Sequence, residues 1–220
     1  MDNIHGNIII DFDDVLANTS ESLFNHIKNS WLIYSPYLKY VPFTYDVNTR
    51  ERRDLYMELL KSDLNMLLLQ DAIAVFYNYY LTNKEMFVQY LTMTDLYNNV
   101  IKSSIVENGN KIDKIYVPYG ERMNSEKYTE VQKEIYENLF SEFKKVELLD
   151  VEQNKTDKLK SIDWNLYITD DAATIIKLIE DKDYKIEGKE FLILDRPYSK
   201  LTPEQELLIQ EKGATITYYK

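Results

Sequence analysis

The sequence predicts an α/β fold: a parallel sheet with helices on both faces, interrupted after its first strand by an inserted helical cap. Three observations carry that expectation. The chain opens with a β-branched run, Ile8, Ile9 and Ile10, that shows no polar alternation, as strands buried on both faces of a parallel sheet do. From residue 20 to about 105, apolar residues recur at helical spacing with little strand pattern. Beyond residue 112, short apolar runs alternate with helical ones, the pattern of strand–helix–strand crossovers. At 220 residues the chain suits one large domain or one domain with a sizeable insertion. The division expected is a core of residues 1–19 and 106–220 and a helical cap of residues 20–105.

The first strand covers residues 7–10 and runs into Asp11-Phe12-Asp13-Asp14. Asn18, Thr19 and Ser20 then offer caps for a helix starting near Glu21. Leu23, Phe24, Ile27 and Trp31 mark its apolar face, and Pro36 and Pro42 separate it from the next helical stretch. Leu55, Leu59, Leu60, then Ile73, Phe76, Tyr77, Tyr80, and finally Phe87, Val88, Leu91, Leu96, Val100 and Ile101 continue the helical pattern to Gly109. The aromatic residues here read as the block's own core; alternatively Phe24, Trp31, Tyr34 and Phe43 line a pocket and stack on a base. Residues 49–53 form a basic patch that is either a solvated helix start or a guide for an anionic substrate. The second half predicts strands at 112–119, 146–149, 166–169, 191–194 and 214–218, and helices at 125–145, 172–182 and 203–212, the last closed by Gly213.

Composition excludes several kinds of function. The absence of Cys removes disulfides, thiolate zinc sites, iron–sulfur clusters and a cysteine nucleophile. The 26 basic and 37 acidic residues give a net charge of −11, which repels phosphate backbones and argues against long nucleic acid as a partner. No secretory signal and no run of about 18 apolar residues is visible, so no membrane partner and a cytoplasmic location are expected.

Acidic residues come directly after two of the predicted strands. Asp11 and Asp13, two apart, face one side of an extended chain while Phe12 faces the other. A polar loop is the plain alternative for Asp11–Asp14, and a helix N-cap the plain alternative for Asp170-Asp171. If both strands are central and parallel, Asp11, Asp13 and Asp170 meet at the carboxyl edge of the sheet, where open α/β folds bind ligands. Oxygen ligands alone, with the two histidines, His5 and His26, away from the strand ends, select a hard cation such as magnesium. An aspartate beside such an ion can attack phosphorus, a second can move the proton, and a lysine can hold the phosphate. Lys155 is the candidate, with Lys158 its rival.

These residues resemble the haloacid dehalogenase-like phosphohydrolases. The resemblance lies in the strand and DxD of Ile8-Ile9-Ile10-Asp11-Phe12-Asp13-Asp14-Val15, in Tyr167-Ile168-Thr169-Asp170-Asp171, and in a lysine some fifteen residues earlier, which favours Lys155. Within that superfamily the chain is most similar to the 5'(3')-deoxyribonucleotidases, through the inserted cap and the tail Leu194-Asp195-Arg196-Pro197-Tyr198-Ser199.

The resemblance implies a Rossmann-like, haloacid dehalogenase-like core and a magnesium-dependent phosphatase that hydrolyses (deoxy)nucleoside monophosphates through an aspartyl-phosphate. Asp11 would be the nucleophile, Asp13 the general acid and base, and Lys155 the phosphate-binding residue. Magnesium would sit on Asp11, Asp13 and Asp170, with Asp171 in support, and Phe12, Tyr119 and Lys155 would face the substrate. Three positions depart from the group: Asp14 where Gly is usual, Asn18 where an acid is usual, and Tyr119 where the second motif has Thr or Ser. The last motivates one alternative, a catalytically weakened nucleotide- or protein-binding module of the same fold; a second, with the chemistry intact, is a phosphatase for another small phosphorylated metabolite, since substrate choice lies in the cap. A homo-oligomer is left open.

Overall fold

The computed structural model describes residues 4–12, 14–16, 94–104, 111–119, 137, 146–150, 154–195 and 199–219, with the side chains of Tyr119 and Asp150 excepted. The chain divides into two compact units, Met1–Ala17 with Met93–Lys220, and Asn18–Thr92. The helices expected over 20–92, and the one over 125–145 apart from helical Glu137, lie outside the described residues.

Six parallel strands make one sheet: β1 (Gly6–Ile10), β2 (Ile112–Tyr119), β3 (Val146–Asp150), β4 (Leu166–Thr169), β5 (Glu190–Leu194) and β6 (Thr215–Tyr219), in the order β3-β2-β1-β4-β5-β6. β1 is central. The chain winds outward from it to β3, returns to its other side as β4, and winds outward again. That reversal makes β1 and β4 the topological switch point, at whose carboxyl ends doubly wound folds take their ligands.

The apolar runs become strands because both faces of the sheet are covered. Ile8, Ile9 and Ile10 are buried, and so is every residue of β4. On the face that carries Ile9, Tyr167, Phe191 and Ile193 lie three helices, α1 (Lys155–Lys160), α2 (Ala172–Glu180) and α3 (Pro203–Glu211). They contribute Leu159, then Ala172, Ile175, Leu178 and Ile179, then Ile209 to one core. Trp164 sits inside it, edge-on to both Tyr167 and Phe191, its indole N–H donating to the Leu159 carbonyl at 3.1 Å. Helix ends obey local rules. Thr202 and Gln205 close a reciprocal capping box on α3 with Pro203 in its first turn. Gly213, at φ +76°, ends α3 with the paired bonds of a Schellman motif, Gly213 N–H to Gln210 and Ala214 N–H to Ile209.

Residues 94–104 belong to the α/β unit, whereas the sequence pattern places the boundary after residue 105. They are helical from Asp95 and contain a π-helical turn, Tyr97–Ile101. Thr94 ties their start to the turn after β1: its N–H donates to the Leu16 carbonyl at 2.9 Å and its hydroxyl to that of Val15. No helix among the described residues is long and apolar enough to cross a membrane.

The β1–β4 register fixes the site. Asn165, just before β4, donates its N–H to the Asn7 carbonyl at 2.7 Å and accepts the Asn7 N–H on its side chain at 2.8 Å. Ile10 then pairs with Ile168, which sets Asp11 beside Thr169. The clamp needs Gly6, at φ +73°, because a β-carbon there would lie 2.3 Å from Asn165 Oδ1. Gly188 has the same φ, +73°, with open space around it. Gly188→Ala should therefore lose only the left-handed backbone term, about 1–2 kcal/mol. Gly6→Ala should lose about 1 kcal/mol more as the Asn165–Asn7 bond breaks. Urea unfolding of the two variants against the parent checks the order.

Candidate active site

Asp11 comes directly after β1 and is buried, with 6% of its surface exposed. Its backbone N–H still bonds to β4, donating to the Ile168 carbonyl at 3.1 Å, so its side chain continues the Ile9 face and meets Tyr167 and Thr169. Three donors converge on one of its oxygens, Oδ2: the Lys155 ammonium at 2.7 Å, the Tyr167 hydroxyl at 2.9 Å and the Thr169 hydroxyl at 2.5 Å. The other oxygen, Oδ1, is buried and has no hydrogen-bond partner among the described residues.

Each donor is held from behind. Lys155 is the first residue of α1, whose N-cap is Asn154. Its ammonium also lies 3.7 Å from Asp171 and 5.5 Å from the centre of the Tyr167 ring. The Tyr167 ring is wedged against Trp164, so its hydroxyl has little freedom. Thr169 both donates to Asp11 and accepts the Asp171 N–H at 2.9 Å. Asp171 caps α2, accepting the Thr174 N–H at 3.1 Å on one oxygen and the Thr174 hydroxyl at 2.5 Å on the other.

Charge and burial set the protonation states around Asp11. Burial alone would depress the Lys155 ammonium, but the Asp11 carboxylate, then Tyr167 and Asp171, outweigh it and raise its pKa above that of a free lysine. Burial first, and the Asp11 carboxylate second, push the Tyr167 phenol well above its ordinary value, so it remains a donor. For Asp171 burial acts upward, and the Lys155 ammonium and the Thr174 donors overcome it and lower the pKa.

Of the residues singled out from sequence, Asp11, Lys155 and Asp171 come together. Lys158, the rival lysine, lies in the last turn of α1, while Lys155 makes the contact. Asp170 comes after β4 at the same edge and is half-buried. Phe12 is buried, and its carbonyl accepts the N–H groups of Val15 and Leu16, closing the turn after β1. Tyr119 ends β2 at that edge, opposite Asp150 of β3. Asp13 lies outside the described residues. Tyr167 and Thr169 carry no role in the sequence pattern beyond lying in the second acidic motif. The signal that marks them is two hydroxyl residues, two apart, on one face of an otherwise apolar strand.

Among the described residues, no three His, Cys, Asp or Glu side chains gather as a metal cage. The donor chemistry nonetheless fits a hard cation. The buried Oδ1 of Asp11 has no hydrogen-bond partner among the described residues, Asp170 follows the neighbouring strand at the same edge, and all the oxygens are of the hard type.

No protein-family model matches the chain, and no curated protein matches it in sequence. Solved structures do match its fold. A haloacid dehalogenase-like family hydrolase, SP0104 from Streptococcus pneumoniae, aligns over 100% of this chain and 96% of its own, with 13% identity and a TM-score of 0.54. The HAD-hydrolase YfnB from Bacillus subtilis, solved bound to magnesium, aligns over 96% of this chain and 99% of its own, with 12% identity and a TM-score of 0.50. The chain thus has the haloacid dehalogenase-like, Rossmann-like α/β fold.

The Asp11–Lys155 pair dominates the local energetics, because either charge alone would be stranded. Lys155→Met should lower the unfolding free energy of the metal-free protein by about 3 kcal/mol. Adding Asp11→Asn should restore much of that loss, a strongly non-additive double-mutant cycle measurable by urea unfolding.

Proposed function

We propose that the protein is a magnesium-dependent phosphatase that hydrolyses nucleoside monophosphates, deoxyribonucleotides among them, through a phosphorylated aspartate. The observation that carries this reading is the buried Asp11 carboxylate at the carboxyl edge of the sheet, paired at 2.7 Å with Lys155, its second oxygen without a hydrogen-bond partner among the described residues. The fold shared with haloacid dehalogenase-like hydrolases supports it.

In this reading Asp11 attacks the phosphorus of the monoester, and the bond to the nucleoside oxygen breaks. Asp13 gives that oxygen its proton and then takes one from the water that attacks the aspartyl-phosphate. Lys155 balances charge on Asp11 before the reaction and on the transferred phosphoryl group during it. Magnesium, held by Asp11, Asp13 and Asp170, would offset the repulsion between a carboxylate and a phosphate dianion. Asp171, with both oxygens used by Thr174, supports from behind by capping α2 and facing Lys155. Phe12 and Tyr119 belong to the substrate side of the reading. The nucleotide preference rests on the sequence resemblance to deoxyribonucleotidases, and a small phosphorylated metabolite of another kind is the alternative the same core would serve.

The test is a phosphate-release assay on a panel of mononucleotides and sugar phosphates. Activity is expected with magnesium, and it should be lost with excess chelator. Asp11→Asn should lower kcat at least about a thousandfold, since it removes the nucleophile. Phosphate release by Asp11→Asn at the parental rate would refute the mechanism, and release from sugar phosphates alone would refute the nucleotide preference.

A further inference from the structure

The turn after β1 is pinned at both ends. At its start, Asp11 stays on the sheet through its N–H bond to Ile168 and through its contacts with Lys155, Tyr167 and Thr169. The far end of the turn has left the sheet, and there Thr94 takes over. The Thr94 N–H donates to the Leu16 carbonyl at 2.9 Å, and the Thr94 hydroxyl donates to the adjacent Val15 carbonyl, 79 positions earlier in the chain. Two bonds to consecutive carbonyls fix orientation as well as position. The same hydroxyl accepts the Tyr97 N–H at 3.2 Å, as an N-cap does, so the clasp is built into the start of the helix from Asp95. Thr94, Val15 and Leu16 are all buried. The two compact units divide at Ala17 and Met93, next to the clasp on each connection. Thr94 therefore ties the chain leaving the α/β unit to the chain returning to it.

We propose that Thr94 is a positioning residue for proton transfer: its clasp on Val15 and Leu16 fixes the turn that carries Asp13, while Asp11 is held separately by β4 and α1. This rests on the phosphatase reading above, which gives Asp13 the acid and base role, and goes beyond it in assigning Thr94 to one half of the chemistry. By sequence Asp13 lies between the two pinned ends, Asp11 and Val15. When Asp11 takes the phosphoryl group, the ester oxygen departs with the electron pair of the broken phosphorus–oxygen bond. An alkoxide is a poor leaving group and needs the Asp13 proton as it departs, whereas a nitrophenolate is a stable anion and does not. In the second step water bonds to phosphorus and gives its proton to Asp13, and the electron pair of the phosphorus–aspartate bond returns to Asp11. Releasing the clasp therefore spares attack by Asp11 and penalises the steps that move a proton.

The test uses the full-length protein with magnesium in rapid-quench experiments. The substrates are p-nitrophenyl phosphate and an alkyl ester, thymidine 5'-monophosphate or glucose 6-phosphate, whichever the parent cleaves. In Thr94→Val the first turnover of nitrophenol should keep the parental rate, while release from the alkyl ester falls about 10- to 100-fold. Thr94→Ser, which keeps a hydroxyl, should restore that release. Asp13→Asn should show the same split, and adding Thr94→Val to it should slow the alkyl ester no further, since both act on one proton transfer. A merely structural role would slow both substrates equally or multiply with Asp13→Asn, and either result, or unchanged rates with both substrates, overturns the proposal. Thr94→Ala carries the same test should Thr94→Val fold poorly. A parent that releases product from neither ester would overturn the phosphatase reading and this proposal with it, whereas an active parent whose Thr94 variants lack the split overturns the proposal alone.

Discussion

The Asp11–Lys155 pair is the constraint around which this end of the molecule is organised. A carboxylate at the tip of a strand buried on both faces has lost most of its water, and an uncompensated charge there would cost several kcal/mol. One ammonium at 2.7 Å and two hydroxyls replace that water. Satisfying Asp11 this way dictates much else. β4 must be the neighbour of β1, in the register that sets Thr169 beside Asp11. α1 must begin at that edge to deliver Lys155. The Asp171 cap of α2 must stand close enough to share the same ammonium. Sheet order, helix start and helix cap are three separate structural decisions that answer to one charge.

The arrangement also explains why a six-residue polar helix is retained on this face of the sheet. α1 reads Lys155-Thr156-Asp157-Lys158-Leu159-Lys160, and only Thr156 and Leu159 are buried. A helix this short is marginal by itself. Leu159 roots it in the core and its carbonyl accepts the Trp164 indole N–H, while Trp164 braces the ring of Tyr167. The path from Leu159 through Trp164 to Tyr167 links the element that carries the ammonium to the strand that carries the hydroxyls. Both donors thereby share one rigid mount, and a hydrogen-bonding group is useful to chemistry only where its position is fixed beforehand.

Much of this is legible in the sequence, for physical reasons. The strands at 112–119 and 166–169 have the limits the sequence suggests, and the other four differ by a residue or two at their ends, because apolar runs buried on both faces leave little ambiguity. Gly213 and Thr202 mark the ends of α3 by local stereochemistry alone. α1 is not legible as a helix, since its polar sequence gives no apolar stripe. The choice of Lys155 over Lys158 lies equally outside local rules: both are lysines of one short helix, and only the contact with β1 separates them. Tyr167 and Thr169 escape a reading of sequence for a related reason. A hydroxyl in a strand acquires meaning from the strand beside it, and the pairing of β1 with β4 joins residues 156 and 158 positions apart. Asp171 can be read as a cap or as part of the acidic cluster, and its geometry makes it a cap that also faces the cluster's lysine.

The departures from the deoxyribonucleotidase pattern take on a different weight once the backbone is considered. Asp14, where that group usually has Gly, sits at φ 59°, in the left-handed region. Glycine reaches that region freely, and Asp and Asn are the side chains that tolerate it best, at a cost of about 1 kcal/mol. Asp14 therefore keeps the turn in which the Phe12 carbonyl accepts the Val15 and Leu16 N–H groups directly after the buried carboxylate. Tyr119 is a departure of another kind, because it replaces a short hydroxyl side chain at a strand end rather than a backbone conformer. The Lys155 ammonium and the Tyr167 and Thr169 hydroxyls that hold Asp11 come from α1 and β4, whereas Tyr119 ends β2, on the other side of β1. In the proposed mechanism a change at the end of β2 would thus alter how the phosphate is held while leaving the Asp11 carboxylate in its place.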